Sequence, residues 1–429
     1  MTPAGPRARL APDSGLTPRR TPASPTFPPH APRVNLSETW GSFVSGRASV
    51  LGMRAAVHAD YGPPDVVRVA DHPRPEPGPG EVLVAVHATT VNRTDCAYRG
   101  ASPPFMRALT GLRRPRHAVW GTEFAGEVVA VGGTPGIGGA GVGGARVGGS
   151  GAGALGGSVG TKRDDDVVVR HFAPGDRVFG YCEGRFGAHA QYVAIDSAGS
   201  IATIPEGISF AEAAAATEGA HYARSAIRRA GVRAGHRVLV NGATGGIGSA
   251  GVQLLREAGA TVTAVCAGAH FDLVRDLGAQ HLIDFTTQDF TTQDFASVPG
   301  NNAPGHSAPG HRAPARYDVV FDAVGKSSFF RCRRLLAPGG VYVSSELGPA
   351  GQNIPLALAG TVMHGRRRVV FPVPEEGQEM VSEIRDLLAT GTFRPVIDRT
   401  YPLEEIADAY RYVESGAKIG NVVIEVPQA

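Results

Sequence analysis

HRVLVNGATGGIGSAGVQLLREAGATVTAVCA, running from His236 to Ala267, passes from a short apolar run through a glycine-rich turn into a helix-periodic segment and out into a second apolar run. That order is a βαβ unit. Val238, Leu239 and Val240 suit a strand buried on both faces of a parallel sheet. Gly242, Gly245 and Gly248 follow at a spacing of three. Small residues there let the backbone turn tightly and approach a pyrophosphate, while the next helix offers free N–H groups and its positive dipole end. The turn Gly242, Ala243, Thr244, Gly245, Gly246, Ile247 and Gly248 is therefore a candidate cofactor cradle, and Val252, Leu254 and Leu255 mark the core side of its helix. Further apolar runs follow in HLIDF, YDVVFDAVG, GVYVSSE and RRVVFPV. Separated by helical or turn sequence, they predict an α/β, doubly wound parallel sheet. Phe321, Ala323, Val324 and Gly325 end the fourth strand, at the carboxyl edge where such sheets bind ligands.

Ahead of this unit the chain changes character. PRPEPGPGEVLVAVHATTVN and APGDRVFGYCEG show short β-like runs punctuated by Pro and Gly, as in a compact β-rich domain. Residues 1–52 are rich in Pro and Arg, with Asp13 and Glu38 the only acids, and are expected to be disordered. Deleting them is expected to leave fold and activity intact. Two further segments read as insertions without chemistry: the glycine-rich tract 132–160, and 286–315, where TTQDF occurs twice in tandem. The tract contains a decoy, since Gly136, Gly138 and Gly141 satisfy G-x-G-x-x-G with no strand before and no helix after.

The 42 basic and 39 acidic residues nearly balance, so no strong field draws nucleic acid or an anionic membrane, and small-molecule partners are expected. The four cysteines, Cys96, Cys182, Cys266 and Cys332, form no Cys-x-x-Cys pair. A reducing, cytoplasmic setting is expected, and no apolar run is long enough for a membrane-spanning helix.

VNRTD, GTEFAGEVVAVG, GDRVFG, NGATGGIG, YDVVFDAVG and RTYPLEEIADAYRYVESGAKIGNVVIEV together resemble the medium-chain dehydrogenases/reductases. The resemblance runs from Met53 nearly to the C-terminus, outside the two insertions. It implies a GroES-like partly open β-barrel over 53–207, a Rossmann domain over 208–372 and a C-terminal return over 373–429. Zinc enzymes of the family carry Cys where this chain has Asn92, and His where it has Thr122, and the four-cysteine structural lobe is missing. A catalytic zinc needs three thiolate, imidazole or carboxylate ligands, so a metal site is not expected. Cys96 and Cys182 read as small buried hydrophobes.

By resemblance to the zinc-free members, hydride passes from NADPH to a quinone or an activated alkene or carbonyl compound. Asn92 would bond near the nicotinamide ribose or the substrate carbonyl, Tyr98 would supply a phenolic donor, and Asp95 would hold the turn. No carboxylate follows the second strand, where NAD-specific folds place one; His270 stands there instead, which favours NADPH. Lys418, in GAKIGN, matches a segment reaching back toward the cofactor, while Lys326 reads equally as a solvated charge. Thr217, Glu218 and Tyr222 fall where a helix approaches the nicotinamide, with the usual residue pattern altered, and His221 beside them reads as a solvated helix histidine. Relatives pair through the Rossmann sheet, so a homodimer is expected. Two other readings remain open: a zinc-type alcohol or aldehyde dehydrogenase, and a non-catalytic NADPH-binding protein.

Overall fold

A computed structural model describes residues 51–133, 172–292, 316–360, 366–373 and 375–428. The chain divides into Met1–Val50 and Leu51–Ala429, and only the second unit is described below. The expectations for residues 1–50 of the extension, for nearly all of the glycine tract with its decoy, and for residues 293–315 of the 286–315 segment fall outside the described residues.

The first part of the unit is β-rich: β1 (Gly52–Val57), β2 (Arg68–Pro73), β3 (Glu81–Val91), β4 (Glu123–Val131), β5 (Arg177–Tyr181), β6 (Tyr192–Asp196) and β7 (Ile201–Thr203). β1 and β2 form a two-stranded ribbon whose first pair is Gly52 with Pro73, so folded structure starts one residue inside the predicted extension. Next comes a six-stranded sheet of β8 (Arg237–Asn241), β9 (Thr261–Cys266), β10 (His281–Asp284), β11 (Tyr317–Asp322), β12 (Leu336–Ser344) and β13 (Arg368–Val370). Every pair in it is parallel, and the order is β10-β9-β8-β11-β12-β13. The order reverses between β8 and β11, which opens a crevice at their carboxyl ends. Finally β14 (Ile397–Pro402) and β15 (Asn421–Glu425) return to the first sheet, whose order is β14-β15-β3-β4-β5-β7 with β6 also on β3.

Three helices position the site: α1 (Arg93–Gly100), α2 (Thr217–Ala230) and α3 (Gly246–Glu257). Val238, Leu239 and Val240 are fully buried, as a strand covered on both faces requires. Above them α3 lies unusually close, because its sheet side is Gly248, Ala250 and Gly251; a Cβ at Gly251 would stand 2.9 Å from the Phe321 ring. α2 packs on α3 through Gly219, where a Cβ would meet the Gly246 carbonyl at 2.8 Å. One buried cluster runs from Ala88, Phe179 and Val423 of the barrel into Val240, Val252 and Leu255 of the parallel sheet, so the two halves share a core.

Two expectations change, at 286 and at 207. Phe290, in the first TTQDF copy, is 8 % exposed and joins Leu239, Tyr317 and Tyr342 in the core on the other sheet face. The insertion therefore does not begin at 286, since an aromatic side chain gains more from burial than its short turn loses in entropy. Helix Gln378–Ala389 puts Met380, Val381, Ile384 and Leu388 into the shared core and packs on β7, with Gln378 Nε2 donating to the Ser197 and Ile201 carbonyls at 3.0 and 3.1 Å. Helix Phe210–Ala214 packs against β3 and β4, which extends the barrel's contacts past 207.

Candidate functional site

β8 ends at Asn241, and the backbone then turns through Gly242 at φ +79°, a conformation that favours glycine. A Cβ there would strike Val324 of the adjacent β11 loop, and one at Gly248 would strike the Gly242 carbonyl. The turn is thus too tight for any side chain at these two positions. α3 begins at Gly246 behind Gly245, an N-cap with no side chain to satisfy the first amides. Free N–H groups, a dipole end and absent side chains together suit a pyrophosphate. Ala243 is fully buried under the turn, and the Thr244 carbonyl accepts from Gly420 N at 2.6 Å, so the C-terminal segment is tied to the cradle.

Beside it opens a cleft of about 580 Å³, lined by Asn92, Tyr98, Glu183, Glu218, Tyr222 and Lys418 among others, with Gly246 and Ile247 reaching it from α3. Asn92 caps α1 in a capping box: its Oδ1 accepts from Asp95 N at 2.8 Å, while Asp95 Oδ2 accepts from Asn92 N at 3.1 Å. Its Nδ2 donates to Thr122 Oγ1 at 3.1 Å. The two positions expected to lack metal ligands therefore bond to each other, and an amide and a hydroxyl already paired are poor zinc donors. Among the described residues no group of three or more His, Cys, Asp and Glu is gathered for a metal. Asp95 is fully buried and is not part of the cleft lining; burial raises its pKa well above the usual carboxylate value.

Tyr98 lines the cleft, but its hydroxyl donates to Glu183, which also accepts from Tyr181 at 2.6 Å. Burial and then Glu183 raise the phenol's pKa, and its ring is stacked on Trp120. Its proton is paired with a second residue of the same cleft wall. Lys418 donates from Nζ to the Gly420 carbonyl at 2.6 Å; burial lowers its pKa, with Glu218 acting against that. Lys326 is exposed.

At the edge of β11, Phe321 is 2 % exposed with its ring on α3, so it belongs to the core and not to the cleft. Ala323 is buried, Val324 touches the Gly242 turn, and Gly325 at φ +63° leaves no room for a Cβ beside Glu346, a cleft residue. His270 ends a short 3-10 turn after β9 and is partly exposed. A carboxylate does stand near this turn, from the next strand. Asp284 approaches Gly268, and against desolvation its hydrogen bonds from Thr286 and Gly268 hold its pKa low. Its Oδ1 is spent on Thr286 N at 2.9 Å and Thr286 Oγ1 at 2.6 Å.

His221 is 1 % exposed, and burial lowers its pKa to about 4, so it is a neutral core histidine and not a solvated one. Cys96 is partly exposed to the cleft, with a thiol pushed up to about 12, whereas Cys182 is buried with Sγ on the Gly121 carbonyl. Two acids, Glu123 and Glu183, went unnoticed in the sequence, and a third, Glu218, was placed near the nicotinamide without a role. Glu123 is buried under β3, Glu183 follows β5, and Glu218 sits in the first turn of α2. Only the acid in the first turn of a helix was a visible signal.

The parallel sheet with its glycine turn, joined to a barrel across a cleft, defines a two-domain protein with a dinucleotide-type fold. Residues 78–222 match the family model for an alcohol dehydrogenase GroES-like domain, and residues 277–424 match that for a zinc-binding dehydrogenase. The chain belongs to the medium-chain dehydrogenase/reductase family. It is 34 % identical over 284 residues to a spectinabilin polyketide synthase system protein of Streptomyces orinoci, a match covering 64 % of this chain and 12 % of that protein. It therefore spans only a small part of that relative's length. It is 27 % identical to the NADPH-dependent alkenal/one oxidoreductase, chloroplastic, of Arabidopsis thaliana, over 87 % of this chain and 79 % of the relative. The quinone oxidoreductase of Coxiella burnetii has the same fold, with a TM-score of 0.68 at 23 % identity, over 88 % of this chain and all of that one. Among the described residues no helix is long and apolar enough to cross a membrane.

Proposed function

We propose that the protein reduces the activated double bond of an enone, or a quinone, with NADPH and without zinc. The observation that carries this reading is the bond from Asn92 Nδ2, on the cleft wall beside the glycine turn, to Oγ1 of the buried Thr122 behind it. A zinc alcohol dehydrogenase polarises its substrate with a metal at such a place, whereas these two side chains satisfy each other and leave only neutral hydrogen-bonding chemistry. A bound nicotinamide dinucleotide supplies the hydride. Gly242 to Gly248 and the first amides of α3 hold its pyrophosphate, and the small Ala323-Val324-Gly325 edge leaves space beside it. The chain's own task is positioning, since held reactants avoid most of the entropic barrier.

The choice of NADPH rests on the absence of an acid within the turn after β9, where Asp284 of the next strand is bonded by Thr286 and Gly268, and on the name of the Arabidopsis relative. Pairing of two copies through the Rossmann sheet is part of the same proposal, and sedimentation of the purified protein tests it. The first assay follows oxidation of NADPH and of NADH by purified protein with a simple quinone and with an alkyl enone, with and without a chelator. Chelator-resistant turnover that prefers NADPH is expected. Turnover lost to the chelator would overturn the zinc-free reading, and nucleotide binding without turnover of either acceptor would favour a binding protein.

A further inference from the structure

The cleft holds a carboxyl group that the reading above does not use. We propose that Glu218 carries the cleft's transferable proton and delivers it to the carbonyl oxygen of the acceptor. This deepens the proposed reduction and rests on it for the identity of the acceptor.

The argument begins with a pair of buried acids of unequal surroundings. Glu123 is 1 % exposed and takes three donors: Thr217 Oγ1 at 2.6 Å, the Glu218 backbone N–H at 2.6 Å and Thr90 Oγ1. A carboxylate so supplied with donors is stabilised in its charged form. Glu218, 6 % exposed, accepts from Thr94 Oγ1 at 2.7 Å through Oε1, and it faces the cleft. Two negative charges this close in a dry site oppose each other, so one acid keeps its proton. Burial raises the Glu123 pKa as well, but its three donors work against that while Glu218 has one, so Glu123 is the ionised member and Glu218 is the acid. Burial, and then Glu123, push the Glu218 pKa well above the usual carboxylate range.

The other charged or titratable groups around Glu218 are Asp95, Tyr181, Tyr222 and Lys418. Asp95 adds to the repulsion. Lys418 works against it, but its ammonium is bonded to the Gly420 carbonyl, and among the described residues no ion pair joins it to Glu218. Tyr98, the expected donor, is already committed to Glu183. Tyr222 and Glu346 also line the cleft with raised pKa values, but a phenol is a weaker acid than a carboxyl, and Glu218 is the cleft carboxyl whose own backbone N–H bonds a second buried acid, Glu123.

In the reaction, a C–H bond forms at the β-carbon of the enone with the hydride given up by a bound reduced nicotinamide, whose own C–H bond breaks as it is oxidised. The alkene pair moves to make an enolate, the Glu218 O–H bond breaks, and an O–H bond forms on the enolate oxygen. The enol tautomerises in water, and Glu218 recovers a proton from solvent.

The first test needs no turnover. Infrared spectra of the full chain without ligand at neutral pH should show the C=O stretch of a protonated carboxyl that disappears in Glu218→Gln; an unchanged band would overturn the proposal. The second test is kinetic. In wild type, kcat should fall as pH rises through the Glu218 pKa, because the group is active while protonated. Glu218→Gln should lower kcat about 100-fold or more, change KM far less and abolish that pH limb. Glu218→Asp should recover part of the rate. A Glu218→Gln enzyme with wild-type kcat and an unaltered pH profile would refute the role. If no acceptor is turned over by wild type, the proposed reduction fails, while the infrared band still decides whether Glu218 holds the proton.

Discussion

A missing methyl group sets the nucleotide cradle. Gly248 brings its Cα against the Gly242 carbonyl, and no Cβ fits between them. Gly248→Ala should therefore weaken nicotinamide dinucleotide binding by about tenfold or more, equivalent to about 1.4 kcal/mol, by prising open the turn that presents the first amides of α3. Fluorescence titration measures this, with circular dichroism checking the fold; wild-type affinity in a folded variant would show that the turn does not bind the pyrophosphate. Glu218 makes the complementary point. Its chemistry comes from Glu123, 95 positions away in the chain, and an isolated glutamate in a helix's first turn carries no sign of that neighbour.

Among the elements, α1 and the turn after β10 carry the most information. The Asn92 and Asp95 side chains close α1 from both directions, so the residue that reaches Thr122 is held by its own helix start. Such a cap contributes about 1 kcal/mol, and here it also fixes where the amide points. The segment after β10 shows how composition misleads. A tandem TTQDF repeat looks like padding, yet Phe290 is packed with Leu239, Tyr317 and Tyr342. Phe290→Ala should cost about 3 kcal/mol and lower the melting temperature clearly. A loss below about 0.5 kcal/mol in denaturant unfolding would mean that the first repeat copy is as dispensable as its composition suggests.

Over the whole molecule, the last strand joins the two halves. β15 lies between β14 and β3, and the segment just before it donates from Gly420 N to the Thr244 carbonyl of the cradle. Val422, Val423 and Ile424 are fully buried. Ending the chain after Ser415 should remove an inner strand of the barrel and one support of the nucleotide turn together. Loss of a cooperative thermal transition is expected. A truncated chain that melts like the full one would show that the return is an appendage.

The contrast between β8-α3-β9 and the cleft explains what was readable in advance. An apolar strand, glycines three apart and a helix stripe are periodic features within thirty-odd residues, so the parallel sheet and its glycine turn were decided locally, whereas the meaning of Asn92 and Thr122 came from the family resemblance. Tyr98 and Glu183, Asn92 and Thr122, and Glu123 and Glu218 lie 85, 30 and 95 residues apart. Nothing in a local pattern says which polar group a side chain will meet, or how dry the meeting place will be. That is why the donor expected at Tyr98 proved committed to Glu183, why His221 proved buried, and why a proton-bearing acid at Glu218 emerged only from packing. Local periodicity fixes which elements form; hydrogen-bond pairing and desolvation, which set the chemistry, depend on the elements after they have met.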